Sequence, residues 1–280
     1  MKILITGVYG FLGLNLANKL VRNHSVFGLY NENKNNALNP TIKTSNALDL
    51  IDFNPDVIIL CHAAVVSGQH SISNAVLLSI NVDFTKRVMD KFPLAKCLYV
   101  SSVSVYGEDI EKLTEHSTVN PISDYAKSKY LAEQVVLQNP KNSVVRLSSL
   151  YGEGMKENTL LPSYCKQALQ HKKIEVWGKG TRYQNYIHVK DAVALLEKVI
   201  EVEDIIAFPI LGVADSEYSN AQVAAIIGEL THSKIEFLKE DDSKSFFYDN
   251  IISQKTLNWQ PMITLEAGLK KYLAWKEKQY

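Results

Sequence analysis

The stretch MKILITGVYGFLG, residues 1–13, sets an apolar run directly before three glycines, Gly7, Gly10 and Gly13, at intervals of three. Residues 2–6 read as a buried strand, and residues 11–21 have the spacing of a helix. A strand, a glycine-rich turn and a helix in that order make a phosphate cradle. Gly7 permits a tight turn, Gly10 lets the backbone approach a pyrophosphate, and Gly13 lets the helix pack against the strand. An anion then meets unpaired N–H groups at the positive end of the helix. A plain strand-to-helix turn can also need glycine, so the rest of the chain has to decide.

Further along, SVFGLY (25–30), DVIIL (56–60), CLYVSS (97–102) and SVVRLSS (143–149) read as strands. Residues 74–91 and 124–137 have helical spacing. Near-continuous apolar strands separated by helices predict a parallel sheet covered on both faces, an α/β Rossmann-type doubly wound fold. After Tyr151 the pattern loosens into glycine, proline and aromatic residues, broken by a helical stretch at 191–202 and a short strand in AFPILGV (207–213). We expect residues 1–148 and 182–212 to form a dinucleotide-binding domain. Residues 149–181 and 213–280 are expected to form a smaller substrate-binding lobe over the sheet's C-terminal edge. The asparagine-rich stretch 31–39 reads as a solvated loop.

The 280 residues include 30 basic and 30 acidic side chains, so the formal net charge is zero. No basic surplus points towards nucleic acid or anionic lipid. Cys61, Cys97 and Cys165 are widely separated and lack metal-ligand spacing, so we expect no metal site and no disulfide framework. No stretch approaches the roughly 18 apolar residues of a membrane span. A cytoplasmic protein is the expectation.

Tyr125 and Lys129, in PISDYAKSKYLAE, share one helix face. A tyrosine with a pKa near 10 is a poor proton carrier at neutral pH. A neighbouring ammonium would favour the phenolate and pull that value down. The pair therefore suits reduction of a carbonyl or oxidation of an alcohol, although an amphipathic helix can carry the same spacing with no chemistry.

TGVYGFLG resembles the TGxxGFLG signature of extended short-chain dehydrogenase/reductases, the NAD-dependent epimerase/dehydratase family that modifies nucleotide sugars. LYVSSVSVYG resembles the family's SSxxVYG segment, DVIILCHAA its HxAA strand end, and LSINVDFT its NVxGT. VVRLSSLYGEG, KIEVWGKGTRYQNYIHVKDA and LNWQPMITLEAGLKKYLAW resemble later family blocks, so the likeness runs from Met1 to about Trp275. It implies a catalytic set of Ser102, Tyr125 and Lys129, with Ser102 holding the reacting oxygen. Its implied cofactor-binding positions are Gly7, Gly10, Phe11, Leu12, Gly13, Asn31, Asp49, Leu50, Ala63, Ala64 and Asn81, with Tyr125 and Lys129. Ser149, Trp177, Arg182 and Gln184 are substrate candidates. A homodimer paired through the helices at 74–91 and 124–137 is a further family expectation.

The departures carry information too. NAD-binding members end the second strand with an acid; here Tyr30 or Asn31 stands there, with Glu32 just beyond and Lys34 nearby, which leans from NAD towards NADP. Dehydratases carry an Asp-Glu pair after the catalytic serine or threonine, where this chain has Val103 and Ser104. Gln184 and Asn185 replace the family's Arg-Asp, and Arg182 lies two residues earlier on the same side of an extended segment. The expected reaction is reduction of a 4-keto nucleotide sugar. A C4 epimerase and a non-catalytic cofactor-binding scaffold are the alternatives.

Overall fold

The computed structural model describes residues 1–32, 34–65, 72–107 and 112–279. Seven parallel strands form the main sheet: β1 (Lys2–Thr6), β2 (Ser25–Leu29), β3 (Lys43–Ser45), β4 (Val57–Leu60), β5 (Lys96–Ser102), β6 (Ser143–Leu147) and β7 (Ile210–Gly212). Their order is β3-β2-β1-β4-β5-β6-β7, so the direction of winding reverses between β1 and β4. Ligands of such sheets bind outside the carboxyl ends of the strands at that reversal.

The apolar runs are continuous because both faces of the sheet are covered. Ile3, Ile5, Val57 and Ile59 face one core with α1 (Phe11–Leu20), while Leu4, Ile58 and Leu60 face the other. On that second face, α2 (Asn74–Leu78) and α3 (Phe84–Lys91) are joined by a π-helical turn, Ser79–Asp83, and followed by α4 (Asp124–Val136). Residues 74–91 thus form two helices around a widened turn rather than the single helix their spacing suggests. The turn directs the wholly buried Asn81 inward, a use of π-turns common beside functional sites.

Further along the chain come α5 (Leu160–His171), α6 (Val189–Glu201), α7 (Asn220–Thr231), α8 (Ile251–Leu257) and α9 (Leu265–Glu277). Helix α6 packs on the same core as α1, whereas α5, α7 and α9 share a separate core with Tyr151, Ile174 and Tyr186. Three small sheets accompany them. Tyr183–His188 lies between Ser149–Tyr151 and Glu217–Ser219, Lys234–Leu238 pairs with Lys173–Trp177, and Phe247–Tyr248 pairs with Lys112–Leu113. Among the described residues, no helix is long and apolar enough to cross a membrane.

Helix α4 is fixed to the sheet by a buried ion pair. Arg146 on β6 donates from Nε and from its terminal nitrogen to Glu133, at 3.0 and 2.6 Å, and both side chains are buried. The Arg146 guanidinium also lies 4.7 Å from the Tyr106 ring centroid. Removing one partner leaves a buried charge without compensation, which costs about 3–5 kcal/mol, whereas replacing both with apolar groups costs far less. Glu133→Ala is therefore expected to lose about 3–5 kcal/mol in urea unfolding, and Glu133→Leu with Arg146→Met much less. Equal losses in the two variants would show that the pair is not what holds α4.

Candidate active site

The site begins where β1 ends. Gly7 has φ +67°, a conformation that side chains resist, and its carbonyl accepts the Gly10 N–H at 2.9 Å. A Cβ at Gly13 would overlap that same carbonyl oxygen, so helix α1 can lie this close to the turn only with glycine there. Phe11 and Leu12 open the helix, with Leu12 lining the cleft. The cradle fits a dinucleotide pyrophosphate: a helix N-terminus without acidic residues in its first turn, approached by bare backbone.

Across the reversal point, the loop after β4 carries Cys61, His62, Ala63 and Ala64. His62 bridges the two loops. The Thr85 hydroxyl donates to the Asn81 carbonyl at 2.9 Å, so it accepts from His62 Nε2 at 3.2 Å. His62 Nδ1 then accepts the Thr6 hydroxyl at 2.6 Å. Burial first, and Lys129 second, lower the His62 pKa to about 3, so this ring stays neutral. Asn81 accepts the Ala64 N–H at 2.8 Å and donates to the Ala64 carbonyl and the Ser128 hydroxyl. It thereby ties the Ala63–Ala64 backbone to α4 and shapes the cofactor side of the cleft from behind.

A cleft of about 600 Å³ opens over the ends of β4, β5 and β6, lined by Ala63, Ser102, Tyr125 and Lys129 among others. Ser102 ends β5, and its hydroxyl accepts the Ser104 N–H at 3.2 Å. Tyr125 is in the first turn of α4, whose N-cap Ser123 accepts the Ala126 N–H. Lys129, one turn later, donates from Nζ to the Val100 carbonyl at 2.7 Å and lies 4.1 Å from the Tyr99 ring centroid.

The titration of the pair departs from the sequence expectation. Burial pushes the Tyr125 phenol up to about 12, and the hydrogen bond from Ser102 opposes this only in part. Burial likewise pulls the Lys129 ammonium down to about 7, against the attraction of Glu133 and Cys61. Desolvation disfavours both charged forms, and the ammonium turns towards Val100 and Tyr99 rather than lowering the phenol.

The cleft is also lined by Ser148, Ser149, Arg182, Gln184, Asn185, Phe246 and Tyr248. Arg182 and Gln184 both line the cleft. Gln184 donates to Asn220 at 3.0 Å, while the buried Arg182 Nε has no hydrogen-bond partner among the described residues. Trp177 lies outside this lining, 54% exposed, with Lys239 Nζ 4.4 Å from its ring centroid. Asp49 and the exposed Leu50 lie in a turn after β3, and Asn31 lies exposed just beyond β2, all three outside the cleft lining. Ser148, Asn185, Phe246 and Tyr248 were not nominated from sequence. The two aromatics reach the site through a parallel pairing with residues more than a hundred positions earlier, a contact with no local signature.

Known proteins agree with this architecture. The structure is similar to that of MoeE5 in complex with UDP-glucuronic acid and NAD, with TM-score 0.89 over the whole of both chains at 22% identity, a likeness of fold. The chain is 25% identical to a putative UDP-glucose 4-epimerase of Methanocaldococcus jannaschii, covering 98% of this chain and 97% of the relative. It is 26% identical to a UDP-glucuronate 4-epimerase of Thermodesulfobacterium geofontis, covering 98% and 96%. The family model described as "NAD dependent epimerase/dehydratase family" matches residues 3–207. With most of its length inside that match, the chain belongs to the NAD-dependent epimerase/dehydratase family.

Proposed function

We propose that the protein catalyses reversible oxidation at C4 of a nucleotide sugar and returns it with the C4 configuration inverted. The observation that carries this reading is the convergence of Ser102, Tyr125 and Lys129 on one cleft beside the glycine-lined cofactor cradle. The bound nicotinamide supplies hydride acceptance and donation. Tyr125 takes the proton from the C4 hydroxyl and returns it, while Ser102 hydrogen-bonds that oxygen. Lys129 lines the same cleft with ammonium donors beyond the one Val100 accepts. None of the described residues lining the cleft is a carboxylate, which disfavours elimination of water by a side-chain acid and base. The two curated relatives described above are named as 4-epimerases, which favours inversion over the net keto reduction expected from sequence.

Net reduction with NADPH is the second reading, and one observation favours it. Tyr30 and the exposed Asn31 end β2 without an acid, and Lys34 Nζ lies 5.4 Å from the Tyr30 ring centroid, so a cofactor 2′-phosphate meets no carboxylate at those two positions. The deciding experiment supplies UDP-glucose and UDP-glucuronate with NAD and follows the products by chromatography. In parallel, 4-keto-6-deoxy nucleotide sugars are supplied with NADPH or NADH and absorbance is followed. Appearance of the C4 epimer supports the first reading; consumption of reduced cofactor without it supports the second. Tyr125→Phe should lose roughly 10²–10⁴ of the activity while its affinity for NAD and NADP holds. Unchanged biological function in that variant would favour the non-catalytic scaffold.

Arg182 is the proposed ligand of the substrate diphosphate. Arg182→Leu should raise KM roughly 10- to 100-fold with a smaller change in kcat, the scale of one charge-assisted hydrogen bond. An unchanged KM would remove it from the substrate site. The proposal includes a homodimer paired through α2, α3 and α4, where Val76 and Leu131 are exposed apolar side chains. Light scattering should give twice the chain mass, reduced to one chain by Leu131→Glu. A monomer at all concentrations would contradict it.

A further inference from the structure

A large part of the cleft lining beyond the catalytic residues is held by one amide. Asn185 is buried in the strand Tyr183–His188, and its Oδ1 accepts the Ser148 hydroxyl at 2.7 Å and the Ala214 N–H at 2.9 Å. Its Nδ2 donates to the Ala214 carbonyl at 2.8 Å and to Glu217 Oε1 at 3.2 Å. That amide has two donor hydrogens and two acceptor sites, and each has a partner. Glu217 Oε1 also accepts the Tyr248 N–H at 3.1 Å. Through these two side chains the end of β6, the Arg182-bearing segment and the segment holding Tyr248 are fixed to one another.

We propose that Asn185 and Glu217 are a matched positioning pair, in which the carboxylate at 217 requires an amide at 185 to seat the substrate wall of the cleft. The two residues are directly opposite in an antiparallel register, so their side chains share a face. Lys112 and the Tyr248 side chain are the other charged or titratable groups acting on Glu217, and its carboxyl is held above the usual range by burial. An aspartate at 185 has no hydrogen for Glu217 or for the Ala214 carbonyl. It would set two carboxylates against each other in a half-buried place, where one must keep a proton. The pair acts through Ser148, Arg182 and Tyr248 rather than on the reacting atoms. Its consequence is therefore substrate affinity, and in this it rests on the nucleotide-sugar reading.

The test compares wild type, Asn185→Asp and Asn185→Asp with Glu217→Gln. It measures KM and kcat with the nucleotide sugar that is turned over, UDP affinity by calorimetry, and Tm from pH 5 to 8. Asn185→Asp should raise KM and weaken UDP roughly ten-fold or more, with less change in kcat. Its Tm deficit should grow with rising pH as the shared proton is lost. Adding Glu217→Gln should recover a large part of every loss, because the new side-chain amide at 217 can donate to the carboxylate at 185, restoring the same contact with donor and acceptor exchanged. A double variant no better than the single would overturn the inference, since residues that matter only by filling space lose additively. Should Asn185→Asp fail to fold, recovery of folded protein by Glu217→Gln reports the same coupling, and no recovery overturns it. If wild type turns over no nucleotide sugar, the functional reading fails, while the Tm coupling still decides the pair.

Discussion

Burial of an ammonium is the constraint on which the site depends. Lys129 is 2% exposed, and taking a charge that far from water costs several kcal/mol unless it is compensated. The compensation comes from three sides: the Val100 carbonyl, the face of Tyr99, and Glu133 one turn along α4. Glu133 is itself gripped by Arg146 from β6. To keep Lys129 within reach of Val100, α4 must lie flat on β5, and that placement brings Tyr125 to Ser102. The acid–base pair is thus a by-product of solving a solvation problem.

The same desolvation sets the resting protonation. With its phenol near 12, Tyr125 holds its proton at neutral pH, the state that serves the returning, protonating half of the cycle. Taking a proton from an alcohol requires the phenolate to be stabilised by charge brought close to it. The ammonium that could do this is turned towards Val100 and Tyr99, with its own value near 7. A spacing of four residues guarantees a shared helix face, but it does not decide which neighbour the longer side chain prefers. The spacing therefore accounts for both residues lining one cleft, while burial moves the Tyr125 phenol upward, opposite to the shift a neighbouring ammonium predicts.

The contrast between legible and illegible features follows contact range. The glycine turn, the strands buried on both faces and the helix carrying Tyr125 announce themselves within a dozen residues, because backbone conformation and burial act locally there. Strand β3, Lys43–Ser45, has no apolar run and forms only because β2 offers it an edge. The π-turn at Ser79–Asp83 reads as ordinary helix, since the extra residue leaves the apolar spacing nearly intact. The substrate wall is the least legible part. Phe246 and Tyr248 come from a segment whose place is set by pairing with Lys112–Leu113, and Asn185 looks like a lone replacement until Glu217 is seen opposite it.

Hydrogen-bond satisfaction divides the buried polar groups of the cleft into two kinds. Asn81 and Asn185 have their amides matched by protein partners and serve as joints. The hydroxyls of Ser101 and Ser104 and the Nε of Arg182 are buried in the cleft lining without a partner. Each such group costs about 1–3 kcal/mol when left unpaired, and these three are placed where a bound ligand would complete them. All three open on the same cleft. A ligand that satisfied them would present oxygen acceptors to Ser101 and Ser104 and an anion to Arg182, with its reacting carbon at Tyr125. That polarity disfavours a cation beside Arg182.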